Sequence, residues 1–301
     1  MSEALRHAIL GPGGIGGLMG ACLARLGDTV TMVVRGETLE HYPRQIHLES
    51  PFGNVDATVS RAAEVPASDV LWITAKATQL EPALRAVTNP EHVRAMVPLL
   101  NGIDHVALLR KRYGAGKVIP ATIAVEAERI APGRFVQRSP FARLHVSSTG
   151  RDLLGRTLDD LRKIGFDCRF VDDEPTLMWS KIVFLAPLAL ATTAAGVPVG
   201  GVTGDRKRRE QWQACVHEAA AVATAEGAKV DAEFVIAGIL KSPAHMRSSM
   251  QKDVEQKNAP ELDAIAGPIL RGARRHGIEV PTTKTLVAAV EAKAGLPASI
   301  V

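Results

Sequence analysis

Over the first half of the chain, short runs of aliphatic and β-branched residues alternate with stretches whose apolar positions repeat at helical spacing. "HAILG", "TVTMVVR", "VLWITAK", "MVPLL" and "KVIPATIAV" read as strands. Between them "GGLMGACLARLG", "TQLEPALRAV" and "DHVALLRKRYG" read as helices. Strands that alternate with helices build βαβ units, so a mainly parallel sheet is predicted. Near the end of this half "RFVQR" and "ARLHVSS" read as a more exposed antiparallel pair, with "APG" before them as turn chemistry.

From about residue 175 the pattern changes to long Ala- and Leu-rich helical segments with almost no strand signal. The charged stretch "VDDEPT" at 171–176 marks the junction, and Pro175 is expected near the first turn of a helix. The predicted fold class is α/β: a Rossmann-type dinucleotide-binding domain over residues 1–174, followed by an all-helical domain over 175–301. At 301 residues the chain is long enough for two cores, and an active site is expected in a cleft between them. There is no internal repeat or low-complexity tract.

Composition narrows the class further. An apolar share of 46% with 23% charged residues is ordinary for a globular protein. The net charge of +4 comes from 36 basic against 32 acidic residues, and the densest basic cluster, "DRKRRE" at 205–210, lacks an aromatic platform. It reads as a solvated helix face, so no nucleic-acid partner is expected. Cys22, Cys168 and Cys215 have neither C-x-x-C spacing nor ligand histidines nearby, which argues against a disulfide framework or a metal site and for a reducing cytoplasm. "MSEALRHAILG" reads as leading straight into a strand, so no cleavable leader is expected, and no apolar run reaches about 18 residues uninterrupted. A cytoplasmic location with no membrane partner is the expectation.

"ILGPGGIGGLMG" carries Gly11, Gly13 and Gly16 in G-x-G-x-x-G spacing, after an apolar strand and opening a helix. The first glycine permits a tight turn, the second lets backbone approach a pyrophosphate, and the third lets helix pack on strand. Gly14 and Ile15 lie inside the same turn, where the helix N-terminus offers N–H groups and a partial positive charge to phosphates. The second strand ends in Arg35 rather than an acid, which suits the 2′-phosphate of NADP(H). Glu37, two residues on, keeps an NAD ribose as the alternative. Lys76 and Asn101 close the next strands at the edge where an open α/β sheet places ligands.

The single charge in "MWSKIVFLAPLALATTAAG" is Lys181. Apolar surroundings disfavour an ammonium and bring its pKa towards neutrality, which suits a proton donor to the alkoxide formed when a ketone accepts hydride. A structural lysine paired to a buried carboxylate is the competing explanation. Together "GPGGIGG", "VVR", "TAK", "LLNG", "WSK", "SSM" and Glu261 resemble the ketopantoate reductases, NADPH-dependent enzymes that reduce a 2-oxo acid. The resemblance implies that Lys181 is the general acid, that Glu261 pairs with it and that Asn101 lies near the lysine and the nicotinamide ribose. It also implies that Lys76 lines the same site and that Ser249 holds the substrate carboxylate. "NAPE" at 258–261 reads independently as a capping box with an Asn cap. Where the family carries asparagines four and eight residues after the lysine, to bind substrate, this chain has Leu185 and Ala189.

The expected activity is NADPH-dependent reduction of a 2-oxo acid, with 2-dehydropantoate as the default. A more apolar 2-oxo acid is the first alternative, and an NADPH-binding sensor without turnover the second. The expected partner is the small-molecule acid, and a homodimer through the helical half is left open.

Overall fold

Strand β1 (Arg6–Leu10) is buried from His7 onward, because it runs parallel between two neighbours in the middle of a sheet. The computed structural model describes residues 4–297. In chain order β1 is followed by α1 (Gly14–Arg25), β2 (Thr29–Val33), α2 (Gly36–Leu39), β3 (Gln45–Glu49), β4 (Val55–Thr58), β5 (Ser60–Ala62) and β6 (Ser68–Ile73). Then come α3 (Leu80–Leu84), β7 (Val93–Pro98), α4 (Asp104–Tyr113), β8 (Ala121–Ala124), β9 (Ala127–Ala131), β10 (Arg134–Gln137), β11 (Arg143–Ser147), α5 (Arg151–Lys163) and β12 (Asp167–Val171). Two compact units divide this chain: residues up to 100 with 105–172, and residues 101–104 with those from 173 onward.

In the first unit the central sheet has the order β5-β2-β1-β6-β7, and every pairing is parallel. Strands buried on both faces need near-continuous apolar runs, which is why β1, β6 and β7 were legible. The chain leaves β1 for β2 on one side and later returns to β6 on the other, so the carboxyl end of β1 is the point where strand order reverses. Open α/β sheets bind ligands there.

Two smaller sheets complete this unit, in the orders β4-β3-β10-β9 and β12-β11-β8. Helix α1 packs on the central sheet and on the β10 sheet at once, and Gly20 and Gly17 allow the close approach to each. A Cβ on Gly20 would stand 2.2 Å from Met32 Cε, and one on Gly17 would stand 2.1 Å from the Phe135 ring.

The expected antiparallel pairing of "RFVQR" with "ARLHVSS" does not form. β10 lies parallel to β3 and antiparallel to β9, whereas β11 lies parallel to β12 and antiparallel to β8. The connecting "RSPFA" offers none of the Gly or Asn chemistry of a tight hairpin turn. Instead Ser139 and Gln137 bond its carbonyls and carry the chain from one sheet to the other: Gln137 Nε2 donates to Ser139 O (2.9 Å) and Ser139 Oγ to Phe141 O (2.7 Å).

The second unit is built from α6 (Glu174–Ala195), α7 (Val199–Thr203), α8 (Arg206–Ala225), α9 (Ala232–Leu240), α10 (Ser249–Glu255), α11 (Leu262–His276) and α12 (Pro281–Ala294). Asp173 caps α6 by accepting from Thr176 N at 3.1 Å, Pro175 sits in the first turn, and Gly196 ends the helix at φ +68°. Helix α6 packs against every other helix of the unit, so it must be apolar nearly all round. By length and composition α6 would also serve as a membrane span, but most of its apolar stretch is buried inside this unit. Cys22, Cys168 and Cys215 are all buried, and burial pushes each thiol up to about 12, which leaves them unreactive near neutral pH.

Candidate active site

At the carboxyl end of β1 the backbone turns through Gly11 at φ +83°, where a Cβ would stand 2.9 Å from the backbone of Ala75. Thr74, just past β6, donates its hydroxyl to Gly11 O at 2.9 Å and to Leu10 O at 3.1 Å, which fixes the turn. Nothing marked Thr74 beforehand except a hydroxyl at the end of a strand.

Helix α1 then starts at Gly14, with Gly13 as its N-cap and no side-chain cap, so its first N–H groups are open to an anion. The glycines of the turn differ in what demands them. A Cβ on Gly14 would lie 2.0 Å from Ala127 O, and one on Gly16 would lie 2.4 Å from Thr74 Oγ1 and 2.9 Å from Ile9 Cγ2. On Gly13 it would meet nothing nearer than Gly11 O at 4.0 Å. The protein's own packing therefore accounts for Gly14 and Gly16, whereas a bare Gly13 keeps open the ground beside the helix N-terminus. That cradle fits a dinucleotide pyrophosphate.

Ile15, in the first turn, is half-buried against the unit's core. Arg35 follows β2 as the N-cap of α2, with its side chain 70% exposed and Nη1 3.8 Å from Glu37 Oε1. A free phosphate on this guanidinium would compete with Glu37. Lys76 is exposed, immediately before the turn Ala77–Gln79.

Within the helical unit Lys181 is half-buried on α6. Burial lowers its pKa to about 8, and the Glu261 carboxylate opposes that shift. Glu261 is itself buried, and its Oε2 accepts from Asn101 Nδ2 at 2.9 Å. The fold thus assembles Lys181, Glu261 and Asn101, although Asn101 and Glu261 stand 160 positions apart.

The capping box at 258–261 is not formed. Helix α11 begins at Leu262, Glu261 is its N-cap without a side-chain cap bond, and the Asn258 amide donates to Gln256 Oε1 at 3.2 Å. Because the chain is still non-helical through 258–260, the Glu261 carboxylate is left to meet Asn101 instead of a backbone N–H.

Ser249 is the exposed first residue of α10. Its neighbour Ser248 is buried, caps α10 through Gln251 N at 3.1 Å and shares a 3.0 Å hydrogen bond with Thr192 of α6. Leu185, one turn beyond Lys181 on the same helix face, is half-buried. Ala189, another turn on, is fully buried in the helical core and contributes packing there.

A parallel sheet with a glycine turn at its switch point, and an all-helical unit holding a lysine against a carboxylate and an amide, define a Rossmann-type oxidoreductase architecture. Residues 7–149 match the family model for ketopantoate reductase PanE/ApbA, and residues 175–294 match the model for its C-terminal domain. The chain is 30% identical over 298 residues to the 2-dehydropantoate 2-reductase of Caulobacter vibrioides, covering 95% of this chain and 98% of that one. The fold also matches a PanE/ApbA-family ketopantoate reductase from Ralstonia eutropha at TM-score 0.85 and 22% identity, covering 97% of this chain and 99% of that one. A ternary structure of D-mandelate dehydrogenase with NADH and anilino(oxo)acetate matches at TM-score 0.84 and 21% identity, with the same coverage. The chain belongs to the ketopantoate reductase family and is an oxidoreductase of that family.

Proposed function

We propose that the protein reduces a 2-oxo acid to its 2-hydroxy acid with NADPH, and that Lys181 is the proton donor. The observation that carries this is the half-buried Lys181, lowered to about 8 by burial and facing Glu261, whose carboxylate Asn101 holds by a hydrogen bond. When bound, the reduced nicotinamide supplies hydride to the carbonyl carbon. The turn from Gly11 to Gly16 and the N-terminus of α1 hold the pyrophosphate, with Arg35 on the 2′-phosphate. Lys181 donates its proton to the carbonyl oxygen as negative charge builds there. Glu261 orients the ammonium, and Asn101 restrains the carboxylate. Lys76 adds positive charge towards the dinucleotide, and Ser249 anchors the substrate carboxylate.

The 30% identical relative in Caulobacter vibrioides supports 2-dehydropantoate as the substrate. A more apolar 2-oxo acid is the second reading, favoured by half-buried Leu185 one turn from Lys181. A hydroxylated substrate would leave its hydroxyl unpaired against that side chain, which costs about 1–3 kcal/mol. NADPH absorbance followed with 2-dehydropantoate and with aliphatic and aromatic 2-oxo acids tests both. A higher kcat/KM for 2-dehydropantoate supports the first, a higher one for apolar acids supports the second, and no oxidation with any of them rejects the reaction.

Two further outcomes follow from the same groups. Reduction needs the ammonium, so its rate should fall as pH rises through about 8. Oxidation of the 2-hydroxy acid needs the neutral amine and should rise over the same interval. A pair of pH profiles with parallel slopes would remove Lys181 from the proton transfer. Arg35→Ala should raise KM for NADPH roughly 10- to 100-fold, the worth of about 1.5–3 kcal/mol for hydrogen bonds to a charged group. KM for NADH should stay nearly constant, and equal effects on both cofactors would show that Arg35 does not read the 2′-phosphate.

A further inference from the structure

Asn101 opens a four-residue segment, 101–104, that touches α11 at three places. The first is its amide on Glu261 at 2.9 Å. The second is Gly102, at φ +87°, where a Cβ would lie 2.5 Å from Ala264 O, so the backbone of the segment rests directly on the first turn of the helix. The third is Asp104, which is paired with Arg271.

Arg271 also donates from Nη1 to Asp263 Oδ1 at 2.6 Å and from Nη2 to Asp263 O at 3.4 Å. Asp263 is eight residues back along α11, two turns and about 12 Å of helix. Residues 263, 267 and 271 share one helix face, and the middle one is Gly267. A Cβ there would stand 2.3 Å from Arg271 Nη2 and 2.4 Å from Asp263 Oδ1. The missing side chain is what lets the guanidinium lie along the helix and serve both carboxylates.

We propose that Arg271 is a positioning residue: lying over Gly267, it holds segment 101–104 on α11 and thereby sets the Asn101 amide on Glu261. This rests on the assignment of Lys181, Glu261 and Asn101 to the reaction. An ordinary stabilising ion pair is a weaker account of the arrangement. The side chains of Arg271, Asp104 and Asp263 are 41%, 53% and 65% exposed, and exposed pairs add little to stability. A planar fork bridging two carboxylates fixes position instead, and lysine cannot reproduce it. Release of the segment would free the Glu261 carboxylate from Asn101. It would then favour the Lys181 ammonium more strongly, and the lysine would hold its proton to higher pH.

The experiment compares the full-length protein with R271A, R271K and G267A. The titration of Lys181 is read by pH-dependent acylation of its amine and mass spectrometry of the labelled peptide, a measurement that needs no turnover. In R271A and G267A the labelling midpoint should move above its wild-type position. Turnover should fall roughly 3- to 30-fold, the size of coupling carried by residues that touch no ligand, with KM for NADPH unchanged. R271K should recover part of each loss. G267A retains every charge and gains helix propensity, so it reports on the clamp even where R271A folds poorly. Wild-type labelling and turnover in both R271A and G267A, whatever their melting temperatures, would overturn the proposal. If the wild type reduces no 2-oxo acid, the assigned reaction fails, and the labelling midpoints alone still decide the clamp.

Discussion

Lys181→Ala should lower kcat for 2-oxo acid reduction by about 10²- to 10⁴-fold, the usual contribution of a positioned general acid or base, and leave NADPH affinity at its wild-type value. The lysine sits on α6 in the helical unit, far along the chain from the glycine turn, so the two properties separate. The variant should also stay folded. In the folded protein Lys181 titrates near 8, below its ordinary 10.5. Between those two values the unfolded chain holds the proton more tightly than the folded one, so this group's contribution to stability rises with pH across that interval and is least favourable below it. At neutral pH the fold therefore carries a desolvated ammonium at a cost, and relief of that cost offsets the loss of a positive partner for the buried Glu261, so the melting temperature should change little. A lysine with a structural role alone predicts a kcat per folded molecule at its wild-type value, with any loss of activity following the fraction unfolded. A dinucleotide-binding protein without turnover predicts no change of any kind. Steady-state kinetics, cofactor titration and a melting curve on the one variant separate the three, and a kcat within about threefold of wild type would remove Lys181 from the chemistry.

What could be read from the chain beforehand follows from which forces are local. β1, β2, β6 and β7 announce themselves because strands buried on both faces must be apolar throughout. β3 ("QIHLE"), β4 ("VDAT") and β9 ("AERIA") are half or largely exposed, and their polar residues conceal them. The second sheet they form is what requires Gly17, a requirement no glycine motif encodes, because Phe135 lies more than a hundred residues away in sequence. Lys181 was conspicuous as a lone charge in an apolar helix. Asn101 stood out by its place at the end of a strand, but its pairing with Glu261 near the lysine came only through family resemblance, and their meeting depends on residues 101–104 joining the helical unit. Glu261 also shows a local rule giving way. Its spacing from Asn258 suits a capping box, yet the backbone stays non-helical to Glu261, and the carboxylate finds a distant amide instead. Arg271 and Gly267 look like an ordinary basic helix face in sequence, since only the fold brings Asp104 within reach.

Gly13→Ala should weaken dinucleotide binding roughly 10- to 100-fold without lowering the melting temperature. The added methyl costs the protein nothing: Gly13 already holds extended backbone at φ −79° and ψ −154°, and the new Cβ would find no protein atom nearer than 4.0 Å. The bound pyrophosphate bears the whole effect, since it must approach the N–H groups of α1 through the ground that methyl would fill. Overpacking of this kind costs about 1–3 kcal/mol, or about tenfold in affinity for each 1.4 kcal/mol. Gly14→Ala is the control with the reverse signature. Its Cβ would be forced to within 2.0 Å of Ala127 O, so it should destabilise the fold itself, and any loss of binding should track the fraction unfolded. Isothermal titration with NADPH and thermal melts on the two variants complete the comparison. If Gly13→Ala binds like wild type, phosphate does not approach the chain at Gly13 and the cofactor assignment at this turn is wrong. If it binds weakly and melts normally, Gly13 is a glycine for the ligand's sake and Gly14 one for the protein's own.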